Sequence, residues 1–108
     1  MMSSLWQPSE KDLKSSQMAL FMNTVNKSYG LSLKSFKDLH RWSVTHASDF
    51  WLEVAKFTNI QFKTKPESIC CLKDRMMDTK WFDGASINYA QNILTNNLTD
   101  HLAIYEVN

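Results

Sequence analysis

The sequence predicts a mainly α-helical fold with several short amphipathic helices, a loop-rich connector and one C-terminal β-strand that would start the sheet of a larger α/β domain. Helix-capping residues precede stretches in which apolar residues recur every three or four positions. Residues 59–80 are interrupted by Pro66 and show no convincing period, which indicates the connector. Residues 102–107, LAIYEV, are rich in strand formers and supply the strand.

Size and charge restrict the classes of protein and partner. The 108 residues suffice for one core, and twelve basic against eleven acidic residues leave a formal net charge of +1. That charge supplies no field to attract nucleic acid or an anionic membrane surface. The chain shows neither a signal-peptide pattern nor the roughly eighteen consecutive apolar residues of a membrane span. We therefore expect a cytoplasmic protein without a nucleic-acid or membrane partner.

The first helices are marked at both ends by capping residues. Ser9 follows Pro8 and is predicted to cap a short helical turn. A longer helix is predicted over about 15–29, and Gly30 ends it because glycine adopts the left-handed conformation of a helix C-cap. The apolar stripe of this helix consists of Met18, Phe21, Met22, Val25 and Tyr29.

Two more helices are predicted before the connector. Ser35 and Asp38 have capping-box spacing and open a helix that ends near His46. Ser48 and Asp49 then offer a cap and a negative charge that favours a helix N-terminus. The inward-facing residues are Phe36, Leu39 and Trp42 in the first of these helices, and Phe50, Val54 and Phe57, with Trp51 alongside, in the second.

A turn and a last helix follow the connector, which is expected to lie against another surface because of its length. The Asp83-Gly84 pair predicts the turn, and the helix is predicted to start near Ser86 or Asn88. Its expected buried side consists of Ile87, Ala90, Leu94 and Leu98.

Two asparagines on this helix leave alternatives open. Asn88 and Asn92 are spaced to share one helix face, although asparagine is a mediocre helix former. Specific hydrogen bonds to neighbouring backbone and simple surface polarity explain the pair equally well. The aromatic and methionine stripe is expected to serve core or interdomain packing rather than ligand binding; it comprises Met18, Phe21, Met22, Trp42, Phe50, Trp51 and Phe57.

The residues that could carry chemistry do not form a recognisable site. His40 and His46 are spaced so that they would face different sides of one helix, and a surface or capping role is expected for both and for His101. Cys70 and Cys71 are adjacent, which disfavours a disulfide between them and lacks the spacing of a zinc or redox motif. We therefore expect reduced thiols and assign no metal-binding residue.

Nucleotide chemistry is also not expected from these residues alone. The chain has two glycines, Gly30 and Gly84, so a glycine-rich loop that cradles phosphate cannot be built. The chain is therefore not expected to be a complete nucleotide-dependent enzyme by itself. The scattered carboxylates are expected to be solvated or to cap helices.

Several segments nevertheless carry a family resemblance over about Leu5 to Val107. They are, in chain order, Leu5-Trp6-Gln7-Pro8, SQMALFMNTVNKSYGLSL, FKDLHRWSVTHASDFWLEVAKF and WFDGASINYAQNIL. Together they resemble the N-terminal region of the acetoacetyl-CoA synthetases (acetoacetate–CoA ligases), which are AMP-forming acyl-CoA synthetases. The Trp81-Phe82-x-Gly84 pattern followed by Asn88 and Asn92 is shared with the acetyl- and propionyl-CoA synthetases. Ile87 stands where leucine is usual and Gln91 where glutamate is usual.

The resemblance implies a segment of a larger enzyme. Such a ligase joins acetoacetate to coenzyme A through an acyl-adenylate formed from ATP with magnesium, and releases pyrophosphate and AMP. ATP, Mg and coenzyme A are thus implied for the full-length parent. None of the parts that bind them matches this chain, so the resemblance assigns no catalytic residue and no cofactor-binding residue to any position. Residues 1–97 correspond to the N-terminal helical region and residues 98–108 to the first strand of the nucleotide-binding domain. The expected partner is the missing large domain of the parent.

Two alternatives accompany this interpretation. The chain could be a free-standing helical interaction module without ligase activity, or the same segment of an acetyl- or propionyl-CoA synthetase. In either case the 108 residues alone are expected to be inactive.

Overall fold

The computed structural model describes residues 3–95, 102 and 104–108 and contains two compact units, residues 1–46 and 47–108. The described residues form five α-helices, one short 3-10 helix and a two-stranded antiparallel sheet. This confirms the predicted mainly α-helical class. In the first unit the helices are α1 (Glu10–Ser15), α2 (Gln17–Tyr29) and α3 (Phe36–Thr45).

Serine side chains begin all three helices of the first unit. Ser9 caps α1 and Ser35 caps α3, each in a capping box completed by the carboxylate of Asp12 or Asp38. Ser16 caps α2 by accepting a hydrogen bond from the backbone N–H of Ala19 at 3.1 Å. The caps predicted at Ser9 and Ser35 are therefore confirmed.

The end of α2 combines a left-handed glycine with a side-chain amide. Gly30 has φ 65° and ψ 36°, as predicted for a helix C-cap. One turn earlier, the Asn26 side chain pairs with both backbone groups of Leu33. Its Nδ2 donates to the carbonyl at 3.0 Å and its Oδ1 accepts from the N–H at 2.9 Å. The chain that leaves α2 is thus fixed onto the last turn of the helix.

The core of the first unit lies between α2 and α3. It consists of Phe21, Val25, Leu39 and Trp42, with the ring of Tyr29 centred 5.2 Å from that of Trp42. Met18 and Phe36 were predicted on the inward faces and are exposed. Each lies in the first turn of its helix, and both line an open cleft of the first unit, so they stay accessible to solvent.

The second unit contains α4 (Ala47–Phe57), a hairpin and a last helix. The hairpin consists of β1 (Ser68–Cys71), the 3-10 helix Met76–Asp78 and β2 (Lys80–Asp83), and α5 (Tyr89–Thr95) follows. The first strand and the 3-10 helix lie inside the predicted connector, whose other residues are mostly irregular, so the loop-rich prediction is confirmed although these two elements were not predicted. The reason is tertiary: β1 pairs with β2 and packs against α4, whereas its own four residues show no strand pattern.

The boundaries of α4 differ slightly from expectation. The helix already begins at Ala47, so Ser48 and Asp49 lie in its first turn, where the negative charge favours the helix dipole. It ends at Phe57, and Asn59 in the following turn has a φ of 56°, a left-handed conformation typical of the residue that closes a helix. The N–H of Ile60 then reaches back to the carbonyl of Ala55 at 2.9 Å.

The last helix starts where predicted but buries a different side. The Asn88 Oδ1 accepts from the N–H of Gln91 at 3.0 Å and caps α5. Ala90 and Leu94 are exposed, whereas Asn92 is the buried residue of the helix, so the predicted apolar side is wrong. The helix attaches through hydrogen bonds of Asn92 rather than through an apolar stripe. Leu98 lies outside the described residues.

The predicted C-terminal strand is absent from the described part of its range. Residues 102 and 104–108 have no strand assignment, and residue 103 lies outside the described residues. A strand exists only through hydrogen bonds to a neighbouring strand, and these residues are paired with none. The strand within the sheet of a larger domain therefore stays a prediction.

Within the described ranges, no helix is long and apolar enough to cross a membrane.

The two capping boxes predict a pH dependence of stability. Hydrogen bonds from Ser9 lower the pKa of Asp12, and the backbone N–H of Lys34, followed by the groups of Ser35, lowers the pKa of Asp38. A carboxyl whose pKa is lower in the folded chain stabilises it above the unfolded value of about 3.9. That stabilisation is lost as the pH falls through the folded pKa.

We therefore expect the urea midpoint for the first unit to fall between pH 5 and pH 3. Asp12→Asn combined with Asp38→Asn removes both titrations and is the matched control, because the amide oxygen can still accept the capping hydrogen bonds. An identical pH slope in this double variant would contradict the assignment.

Candidate functional site

An apolar cleft of about 440 Å³ lies in the second unit and is here called the aromatic cleft. Its lining comes from α4, the segment after it, β2 and the turn before α5. The lining residues are Trp51, Val54, Ala55, Thr58, Ile60, Phe62, Trp81, Phe82, Ala85 and Ile87. The cleft therefore contains both aromatic residues of the Trp81-Phe82-x-Gly84 pattern.

Backbone conformation at Phe82 explains why two consecutive residues line one cleft. Successive side chains of a strand point to opposite faces, so Trp81 and Phe82 would ordinarily diverge. Phe82 has φ 48°, a left-handed conformation that is rare for a bulky side chain. This conformation takes the end of β2 out of regular pleating, and both rings then face the cleft.

The turn after β2 keeps this conformation in place. Gly84 has φ 80°, and the N–H of Ala85 donates to the carbonyl of Phe82 at 3.0 Å. Beyond the turn, Ser86 forms an antiparallel bridge with Thr64. The two ends of the hairpin are thus tied together on either side of the strained residue.

Aromatic pairs form the walls of the cleft. The rings of Trp51 and Trp81 meet edge to face with centroids 5.5 Å apart, and those of Phe62 and Phe82 stack at 5.7 Å. The tryptophans remain open to solvent, with 38% of Trp51 and 48% of Trp81 exposed. The pairs therefore fix the shape of the cleft without closing it.

The amide of Asn92 joins α5 to the segment that lines the cleft. Its Oδ1 accepts from the backbone N–H of Gln61 at 2.7 Å, and its Nδ2 donates to the carbonyl of Gln61 at 3.0 Å. Nδ2 also lies 3.0 Å from the carbonyl of Asn88. Of the two interpretations of the asparagine pair, specific hydrogen bonding to backbone is confirmed.

Polar chemistry is almost absent from the cleft. Apart from the indole N–H groups of Trp51 and Trp81, the hydroxyl of Thr58 is the only polar side-chain group of the lining, and it donates to the carbonyl of Val54 at 2.7 Å. Phosphate groups and magnesium need charged or oxygen donors, so this lining does not fit ATP, Mg or the phosphates of coenzyme A. The cleft can instead receive apolar groups.

The histidines are placed in surface and capping positions. His40 stacks on Phe36 with ring centroids 6.2 Å apart, and His46 is the C-cap of α3 and stacks on Trp42 at 6.1 Å. His101 lies outside the described residues. Among residues 3–95, 102 and 104–108, no group of three or more His, Cys, Asp or Glu side chains could hold a metal ion.

The two cysteines are free thiols on neighbouring positions of β1. Cys70 lies opposite Trp81 in the sheet register, and Cys71 lies opposite Lys80. Burial, and then the neighbouring Cys71, raises the pKa of the Cys70 thiol. Cys70 therefore stays protonated at neutral pH and is a poor nucleophile.

The aromatic stripe predicted from helical spacing is divided by the structure. Phe21 and Trp42 are buried in the first unit, whereas Trp51 lines the aromatic cleft of the second. Sequence reasoning identified Trp81 and Phe82 as one paired element, but nothing in the sequence signals the left-handed backbone at Phe82. The cleft itself was therefore missed.

The family assignment rests on a match over a segment that includes the residues of the cleft. Residues 36–93 match the family described as the acetyl-coenzyme A synthetase N-terminus. These residues extend from the start of α3 into α5 and make up more than half of the 108. The chain belongs to this family.

Individual relatives belong to a narrower group of enzymes than the family model describes, and they confirm the resemblance seen in the sequence. The chain is 37% identical to the acetoacetyl-CoA synthetase of Macaca fascicularis and 35% identical to that of Danio rerio, in each case over 94% of its own length. It is also 38% identical to a malonamoyl-CoA synthetase of Penicillium aethiopicum over 83% of its length. The chain spans only 15% of the length of the first two relatives and 12% of the third. No solved structure matches the chain significantly.

The paired hydrogen bonds of Asn92 predict a strong effect of an isosteric change. Asn92→Asp keeps the shape but loses the Nδ2 donor and places a carboxylate oxygen against the carbonyl of Gln61. We expect the free energy of unfolding to fall by about 1–3 kcal/mol, the usual cost of leaving buried polar groups unpaired. Urea unfolding followed by tryptophan fluorescence measures this loss.

Asn88→Asp is the matched control for that experiment. Aspartate can still accept from the N–H of Gln91, and its charge favours the N-terminus of α5, so stability should change little. Equal losses in the two variants would show that the Gln61 pairing is not what stabilises the helix.

The left-handed turn predicts the effect of a methyl group at Gly84. Gly84→Ala forces an L side chain to keep φ 80°, and its Cβ would lie 3.1 Å from the Cγ of Glu67. We expect a loss of about 1–2 kcal/mol in urea unfolding, because the left-handed conformation is costly for alanine.

Gly30→Ala is the reference variant for this measurement. It carries the same kind of conformational strain at φ 65°, but nothing lies within 4 Å of the added Cβ. The difference between the two losses therefore isolates the contact with Glu67. No loss at Gly84 would contradict the left-handed turn.

Proposed function

We propose that this chain is the N-terminal segment of an acetoacetate–CoA ligase and that its role there is structural rather than catalytic. The observation that carries the proposal is the similarity to acetoacetyl-CoA synthetases along 94% of the chain. The relatives themselves are much longer, since the match covers 15% of each. The remaining part of such an enzyme is the proposed partner.

The proposed substrate is a short acid with a carbonyl group β to its carboxylate. Acetoacetate and malonamate both have this arrangement, and the names of the relatives include an acetoacetyl-CoA and a malonamoyl-CoA synthetase. We favour acetoacetate, because the Trp42-Ser43-Val44 and Asp49-Phe50-Trp51 segments resemble the acetoacetate members. Malonamate is the second candidate on the strength of the 38% identity.

The proposed division of labour assigns the chemistry to the rest of the ligase. ATP, Mg and coenzyme A would be bound there, because the aromatic cleft is lined by apolar groups and the chain cannot form a glycine-rich phosphate loop. We assign no catalytic, cofactor-binding or metal-binding residue to this segment. Residues 98–108 are proposed to begin the nucleotide-binding domain, where a neighbouring strand would be available to pair with them.

A cytoplasmic location is part of the same proposal. It is supported by the two adjacent free cysteines, which are typical of a reducing compartment.

A chimeric enzyme tests the proposed function. The chain replaces the matching N-terminal region of the Danio rerio acetoacetyl-CoA synthetase, and AMP release is measured with acetoacetate, ATP, Mg and coenzyme A. We expect the chimera to be active and the same enzyme lacking that region to be unstable or inactive. The 108-residue chain alone should release no AMP.

Two results would contradict this proposal. A well-folded chimera without turnover would favour a free-standing interaction module instead. AMP release by the isolated chain would overturn the structural role. Malonamate is assayed in parallel, and acetate serves as the control acid without a β-carbonyl group.

A further inference from the structure

The second unit has almost no closed apolar core. Among its described residues the buried ones are Ala55, Glu53 and Asn92, and only the first is apolar. Several of its large apolar side chains line the aromatic cleft instead, where 38% of Ile60 and 51% of Ile87 remain exposed. Because an open cleft takes the place of a core, apolar surface remains in contact with water. A molecule bound in the cleft would cover that surface.

We propose that the aromatic cleft is a docking site for an apolar segment of the ligase body, meaning the part of the enzyme outside this chain. The proposal rests on the proposed function and adds the surface through which the segment acts. Apolar side chains of the body enter between the tryptophan pair and the phenylalanine pair. The apolar surface of the cleft is closed off from water only when they do.

The chemistry of the lining favours a protein segment over a small molecule. Small-molecule sites of this size combine apolar walls with a few polar groups that orient the ligand. Here the hydroxyl of Thr58 donates to the carbonyl of Val54, and the indole N–H groups of Trp51 and Trp81 are the other polar side-chain groups of the lining. Such a surface selects for apolar bulk and shape, as the buried centre of a protein interface does.

The length of the relatives favours the ligase body over other proteins. The chain corresponds to about 15% of each synthetase, so most of the enzyme lies outside it. Covalent connection raises the effective concentration of the body at the cleft to about the millimolar range, far above that of a separate partner. A second copy is disfavoured, because a two-fold interface would place one concave cleft against another.

Backbone strain marks the cleft as a built feature. The left-handed conformation of Phe82 costs about 1–2 kcal/mol, and glycine or asparagine would relieve it. The strain places the Phe82 ring against Phe62 and in the same cleft as Trp81. A position that served only the turn would not need an aromatic ring.

Footprinting of the active chimera tests the proposal directly. Hydroxyl-radical oxidation of Trp51 and Trp81, read by mass spectrometry, is compared between the isolated chain and the chimera. We expect several-fold slower oxidation of both tryptophans in the chimera. Met76, exposed in the same unit but outside the cleft, is the internal reference and should change less.

A pair of variants tests the same surface by stability. Ile87→Glu places a charge at the cleft, and Leu72→Glu places one at an exposed apolar residue of the same unit outside it. We expect Ile87→Glu to lower the melting temperature of the chimera while leaving that of the isolated chain unchanged. Leu72→Glu should alter neither protein.

The outcomes separate this inference from the proposed function. An active chimera in which the tryptophans oxidise as in the isolated chain, or in which the two variants behave alike, would overturn the docking site and leave the function standing. Protection that requires added acetoacetate or coenzyme A would assign the cleft to a ligand instead. Protection of the isolated chain that grows with its concentration would assign it to a second copy. An inactive, folded chimera would contradict the proposed function and, with it, the docking site that rests on that function.

Discussion

The second unit depends on the pairing between the Asn92 amide and the backbone of Gln61. The helix α5 has only seven residues, too few to be stable alone, and Asn92 is its one buried residue. The amide fixes Gln61, so the neighbouring side chains of Ile60 and Phe62 are held in the cleft wall. One side chain therefore determines both the position of the last helix and the shape of the candidate site.

The first unit uses the same device with a different outcome. Asn26 pairs with both backbone groups of Leu33, as Asn92 does with those of Gln61. In each case a side-chain amide pairs with a backbone N–H and C=O as a neighbouring strand would. These backbone groups lie outside regular secondary structure, so the amide supplies their hydrogen bonds. In the first unit the result is a closed core around Trp42, whereas in the second it is an open cleft.

Features governed by neighbours in sequence could be predicted, and features governed by distant contacts could not. Ser9, Ser35 and Gly30 act within one turn of the chain, so their capping roles are legible from spacing alone. The strand at 68–71 exists because it pairs with β2 and packs against α4. Its own four residues show no strand pattern in the sequence. The cleft requires the left-handed backbone at Phe82, which the local sequence argues against, since a bulky residue rarely adopts it.

At position 82, relief of the backbone strain and retention of the aromatic ring therefore favour different residues. Any screen that rewards only solubility or thermal resistance of the isolated chain will enrich glycine or asparagine there, because either residue adopts φ 48° with less strain. Such variants would look improved while losing the ring that stacks on Phe62. Consensus or inverse-folding redesign of this segment should hold position 82 fixed, so that the ring in the wall of the cleft is kept.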